Sequence, residues 1–103
     1  MFDDLMAGIK AKLLAGQYVT TRHFLERCDE RNLDARTVVL AAANGSVIED
    51  YPEDDRGHSC LILANSKDYV LHVLVGVAYI EIRMIIVYKP DPDIWDSDYQ
   101  KRR

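Results

Sequence analysis

His23, Arg27 and Glu30 recur at i, i+4 and i+7 in the stretch TTRHFLERCDERN. That spacing places an imidazole, a guanidinium and a carboxylate on one stripe of a helix. An imidazole beside a fixed cation can take or give a proton next to a bound phosphate. The plainer alternative is a solvated helix face laced with charge pairs.

His72 stands alone in the apolar run YVLHVLVG. In a strand it shares a face with Val70 and Leu74, and Leu71, Val73 and Val75 take the other. A polar ring in so apolar a strand needs a partner, whether its role is structural or catalytic. In the last apolar run, strict alternation puts Glu81 and Arg83 with Ile85 and Val87. Tyr88 then falls on the opposite face, with Ile80, Ile82, Met84 and Ile86. Arg83 can hold a phosphate through its two-pronged guanidinium or pair with a glutamate on the next strand.

His58 and Cys60 would point to one face of a strand, but no second ligand pair has zinc spacing. The acidic run Glu49–Asp55 lacks the glycine placement of a calcium loop and reads as a solvated turn. No phosphate loop, dinucleotide fingerprint or nucleophile elbow is present. We therefore expect no cofactor and no metal.

The elements that must position these groups follow from hydrophobic period. Phe2, Leu5, Met6, Ile9 and Leu13 form a helical stripe, which predicts a first helix over about 2–15 with Gly16 as its stop. Asp3 and Asp4 suit its positive end and Lys10 and Lys12 the other. Gln17–Thr20 reads as a short connector. Thr20 or Thr21 caps a second helix over about 22–31, burying Phe24, Leu25 and Cys28. Asp34 caps a third, with Ala35, Val38, Val39 and Ala42 on its inner face and Asn44-Gly45 as its end. The period then becomes strand-like over 46–51, 59–65, 69–76 and 79–88. The breaks, PEDDRGH, NSKD and Gly76–Ala78, are short, so successive strands should pair antiparallel. Pro90 and Pro92 end the last strand, and Trp95 should tack the polar tail onto the body. The expected fold is α+β: N-terminal helices on one face of a four-stranded antiparallel meander sheet.

The 103 residues suit one domain. Within it, 1–15 is an added helix and 90–103 a polar tail. The net charge of −4 argues against general nucleic-acid affinity. Its source is local, however: Glu49, Asp50, Glu53, Asp54 and Asp55 stand against Arg56 alone, and the rest of the chain is balanced, so a local basic site stays open. No stretch approaches the ~20 apolar residues of a membrane span. The acidic start does not look like a signal peptide, so a cytoplasmic location is expected. Cys28 and Cys60, without CxxC spacing, then read as two small buried hydrophobes.

Several of these residues fall into a joint pattern. Tyr18-x-Thr20-x-x-His23-x-x-x-Arg27-x-x-x-Arg31 is followed by Gly45-x-Val47-Ile48-Glu49-x-Tyr51-Pro52. Ser59-Cys60-Leu61-Ile62-Leu63, Leu71-His72-Val73, Ile85-Ile86-x-x-Tyr88-x-Pro90-Asp91 and Trp95 continue it. Over residues 17–99 the chain resembles the domain-of-unknown-function family 4258 of short bacterial proteins. The resemblance implies a compact helix-plus-sheet domain, similar in fold to RelE-like and barnase-like ribonucleases. It also implies a toxin-like role beside a zinc-finger antitoxin. Only motif positions carry over: His23, Arg27, Tyr51, His72 and Tyr88. Phe24 departs from the pattern, where a small residue is usual, and Asn32-Leu33 replaces a Gly-Ile turn.

Two functions follow as expectations. The first is a metal-independent endoribonuclease or RNA-binding module of a toxin–antitoxin pair. Its catalytic group would be His23, Arg27, His72 and Tyr88, and Arg83 and Tyr51 would bind substrate. It requires the α-helical His23–Arg27 stripe to meet the strand that carries His72. The second is a non-catalytic protein-interaction domain working through its sheet edge or acidic loop. The partners expected are RNA and a zinc-finger antitoxin, with no membrane. An exposed sheet edge leaves a homodimer open.

Overall fold

A computed structural model describes residues 2–65 and 69–103. The elements are α1 (Asp3–Leu14), β1 (Tyr18–Thr20), α2 (Arg22–Glu30), α3 (Ala35–Ala43), β2 (Ser46–Tyr51), β3 (Ser59–Asn65), β4 (Val70–Gly76) and β5 (Ile82–Tyr88). The three helices, their caps and the four long strands fall where hydrophobic period places them. The NSKD break lies, after Asn65, outside the described residues.

Both expected caps form. Thr21 Oγ1 accepts from the Phe24 amide at 3.1 Å and donates to the Ile85 carbonyl at 2.9 Å. One hydroxyl thus starts α2 and ties it to β5. The Asp34 carboxylate accepts from the Thr37 amide and hydroxyl at 3.1 and 2.9 Å. Asn32 takes the left-handed φ of 54° between α2 and α3. Asparagine tolerates that conformation, so the departure from a glycine costs the turn little. Gly45 joins α3 to β2 under a different constraint. A Cβ there would lie 2.3 Å from the Leu63 carbonyl oxygen, so only glycine lets the chain pass so close to β3.

The sheet corrects the four-stranded antiparallel expectation. It has five strands in the order β1-β5-β4-β3-β2. β2 to β5 form the antiparallel meander, and β1 adds in parallel on the far side of β5. Gln17–Thr20, read as a connector, is therefore mostly strand. Three residues are too few to show a period, but Tyr, Val and Thr fit a pleat. The Ile82 amide donates to the Gln17 carbonyl at 3.0 Å and the Thr21 amide to the Met84 carbonyl at 3.1 Å, which satisfies one edge of β5. β5 also starts later than the expected Tyr79. Tyr79 and Ile80 form the exposed tip before it.

The alternation in β5 is broken as well. Val75 pairs with Met84 but Leu74 pairs with Ile86, so Ile85 is an extra residue. A bulge reverses the parity of every later side chain. Met84 and Val87 therefore share one face, and Tyr88 joins Arg83 on the other, opposite to the strict-alternation expectation.

The helices cover a single face of the sheet. Ile9, Phe24, Cys28 and Val38 pack in one cluster with Ile62, Leu71, Val73 and Met84. Phe24 is fully buried where the family pattern has a small residue, and it fills the centre of this core. Leu25, expected in the core, is 45% exposed. The opposite face is covered in part by the tail after Pro90. There the Asp96 amide donates to the Lys101 carbonyl and the Arg103 amide to the Ile94 carbonyl, closing a small loop under a buried Trp95. Trp95 thus tacks the tail down as expected.

Candidate functional site

The expected seam does not form. His23 is exposed, and Arg27 reaches Glu30 at 3.7 Å on the solvent side of α2. Phe24 and Cys28 of the same helix pack in the core with Leu71 and Val73. His72 lies between those two residues and so projects to the other side of the sheet. His23 and Arg27 therefore sit across the sheet from His72, and no single phosphate can touch all three.

Tyr51, His72, Arg83 and Tyr88 share the face away from the helices. The strand register fixes this: His72 is opposite Tyr88 and Leu63, Gly76 is opposite Arg83 and Ser59, and Tyr51 is opposite Ser59. The tail adds residues to the same face, and the sequence reading missed their part.

His72 is completely buried. Its Nε2 lies 2.8 Å from the Tyr99 carbonyl oxygen and its Nδ1 3.2 Å from the Tyr88 hydroxyl. A carbonyl can only accept, so Nε2 carries the hydrogen and Nδ1 accepts from Tyr88. The ring is a neutral imidazole of fixed tautomer. Burial lowers its pKa, partly opposed by the bond to the Tyr99 carbonyl. Burial likewise raises that of the Tyr88 phenol.

Trp95 stands edge-on to the His72 ring, with centroids 4.4 Å apart, and carries the Arg102 guanidinium 4.6 Å above its own ring. Arg102 makes a two-pronged pair with Glu49 at 3.2 and 3.3 Å. The Tyr51 hydroxyl donates to the same carboxylate. Burial and that bond push the Tyr51 phenol up to about 12. Glu49, Tyr51, His72, Tyr88, Trp95 and Arg102 thus form one connected cluster drawn from β2, β4, β5 and the tail. Some of this was legible. Glu49 and Tyr51 are two apart in a strand and must share a face. Arg102, in a terminal KRR run, carries no local signal.

The remaining candidates separate from this cluster. Arg83 lies 5.7 Å from the Tyr79 ring centroid and meets no carboxylate among the described residues, so the expected glutamate pairing is not seen. His58 pairs with Asp50 at 2.5 Å near the start of α1. Cys60 is buried in the core, and burial pushes its thiol up to about 12, which makes it inert. Cys28 is buried too, and both cysteines are free. Among the described residues, no three His, Cys, Asp or Glu side chains are grouped to hold a metal ion. Nor is any helix among them long and apolar enough to cross a membrane.

No curated protein and no solved structure matches the chain. A family model does match, over residues 20–89, which takes in α2 through β5 and leaves α1 and the Trp95 tail outside. The chain belongs to that family, described as a domain of unknown function (DUF4258).

Proposed function

We propose that this chain is an RNA-directed, toxin-like domain whose chemistry lies on the sheet face under the C-terminal tail. One observation carries the reading: an imidazole, two phenols, a carboxylate and a guanidinium, distant in sequence, converge there. Titratable groups gathered from several elements mark candidate functional sites.

RNA brings its own nucleophile, the 2′-hydroxyl. Metal-independent cleavage forms the 2′-oxygen–phosphorus bond and breaks the bond to the 5′-oxygen. It needs a base, a cation for the phosphorane charge and a proton for the leaving oxygen. In this reading Tyr88 takes the 2′-hydroxyl proton as it passes its own to Nδ1 of His72. The imidazolium then returns a proton to the 5′-oxygen through the same phenol. Arg102, held by Glu49, meets the phosphate. Trp95 and the Tyr99 carbonyl seal the ring, so the tail swings aside when RNA enters. A zinc-finger antitoxin encoded beside the chain is the partner this reading expects.

The complete burial of His72, with both ring nitrogens bonded, favours a second reading. There the cluster is only a clamp for the tail, and the domain is a non-catalytic protein-interaction module. Expression in a bacterium and incubation of the purified protein with RNA separate the two. The first reading expects growth arrest and cleavage, lost in His72→Gln and Arg102→Ala but kept in His23→Ala. Intact RNA and normal growth with folded wild type leave the interaction module.

A further inference from the structure

A cleft of about 130 Å³ opens at the other end of the same sheet face. By the ~30 Å³ share of one water it holds several. Arg56, Arg83, Tyr79 and Gly76 line it, with Thr21 and Asp54 in its walls. Gly57 shapes one rim. It has φ of 106°, and a Cβ there would come within 2.9 Å of the Ala78 Cβ, so the β2–β3 loop closes on the tip before β5 only with glycine.

The charges in the cleft do not cancel. The Asp54 carboxylate accepts from the Ser59 hydroxyl at 2.7 Å, the Arg56 amide at 3.0 Å and Arg56 Nε at 3.4 Å. Those bonds, the one from Ser59 first, hold its pKa below the usual range. Asp54 is thus a fixed anion that anchors Arg56 by one edge of its guanidinium. Among the described residues, the terminal nitrogens of Arg56 and the whole Arg83 guanidinium have no carboxylate partner. Two guanidiniums stand against one carboxylate in the lining, and His58, which also lines it, is paired with Asp50. The cleft thus presents guanidinium donors without a carboxylate partner among the described residues, within a chain of net charge −4. Tyr79, 57% exposed, offers a ring beside Arg83.

We propose that this cleft is a phosphate subsite, taking the phosphate of a nucleotide on Arg83 and Arg56 with the base against Tyr79. Guanidiniums bind phosphate through paired charge-assisted bonds, and an exposed aromatic stacks any base. The proposal rests on the RNA-directed reading for the source of the phosphate. Arg83 and Tyr88 pair with Gly76 and His72, which are four residues apart on the unbulged β4, so the cleft lies about 13 Å along the strand from the His72 cluster. A short oligonucleotide can touch both.

Titration of the ¹⁵N-labelled full chain tests it, with inorganic phosphate and adenosine 5′-monophosphate as separate probes. The expected result is movement of the Gly57, Gly76 and Ala78 amide signals with both probes, and tighter binding of the nucleotide. Arg83→Ala should weaken both by about tenfold, with Arg83→Lys in between. Tyr79→Ala should weaken the nucleotide alone. Still amides, or binding indifferent to Arg83→Ala, overturn the subsite. Equal binding of both probes, unmoved by Tyr79→Ala, overturns the nucleotide assignment. A chain that binds nucleotide here but cuts no RNA keeps this site and loses the cleavage reading. One that cuts RNA without Arg83-dependent binding loses this site alone.

Discussion

His72 shows how a residue can be legible in type and illegible in partner. Its isolation among Val and Leu says that some group must meet the ring. The groups that do so, the Tyr88 hydroxyl and the Tyr99 carbonyl, are 16 and 27 residues away. The helical stripe His23–Arg27 was equally visible and does not meet His72, because an amphipathic helix shows its polar side to water whether or not that side has work to do. The state of the buried ring has a measurable consequence. Burial lowers the His72 pKa from its ordinary 6.5, so the folded protein favours the neutral ring and the unfolded chain takes the proton first. The stability this contributes is complete above about pH 6.5 and is lost as pH falls through the folded value. Chemical-denaturation midpoints should therefore decline as pH drops below 6.5, and His72→Gln should flatten that decline. The carboxylates with lowered values, Asp54 and Asp96, contribute in full above their ordinary 3.8, so the decline that begins below 6.5 does not start with them. An unchanged slope in the variant would assign the decline elsewhere.

At the scale of elements, period located every helix and every strand of the meander but not the joints between them. β1 is too short to show a period. Its pairing is decided by the unsatisfied edge of β5, which is a tertiary matter. The Ile85 bulge is invisible because IRMIIVY reads as apolar at nearly every position, so the alternation gives no phase to break. Missing it put Tyr88 on the wrong face and hid its pairing with His72. The tail is the third such joint. Trp95 is only 3% exposed, although the strand beneath it ends well before, and most of the polar bonds around it run to the tail's own backbone. Trp95→Ala should cost about 3–5 kcal/mol, as for other buried tryptophans. It should also free one segment selectively. Hydrogen exchange at residues 91–103 should accelerate strongly, and amides of α3 and β3 should slow or speed only with global stability. Equal acceleration everywhere would show that the tail is part of the core and not a cover on one face.

At the scale of the whole molecule, the sheet divides the chain into a side packed by the helices and a side that carries the tail and the polar cluster. The helices and their apolar stripes close one face. The other carries the cleft of Arg56 and Arg83 toward one end and the His72–Tyr88 pair toward the other, with Glu49 and its partner Arg102 on β2's side between those rows. An overall charge of −4 hides this arrangement, since the arginines on the face, Arg56, Arg83 and Arg102, come from three separate segments, the first of them inside the acidic run 48–58. If single-stranded RNA lies along the face, its phosphates meet few cations, and the salt dependence counts them. Each phosphate neutralised on a single strand contributes about −0.7 to the slope of log affinity against log salt. Arg83 and Arg102 acting together should give a slope near −1.4, and each Arg→Ala variant should return it by about 0.7. Fluorescence anisotropy with a labelled oligonucleotide over a salt series reads this directly. Arg27→Ala, on the helix side, should leave the slope where it is. If Arg27→Ala moves it and Arg83→Ala does not, the RNA lies along α2, and the division of the sheet into two sides has been assigned the wrong way round.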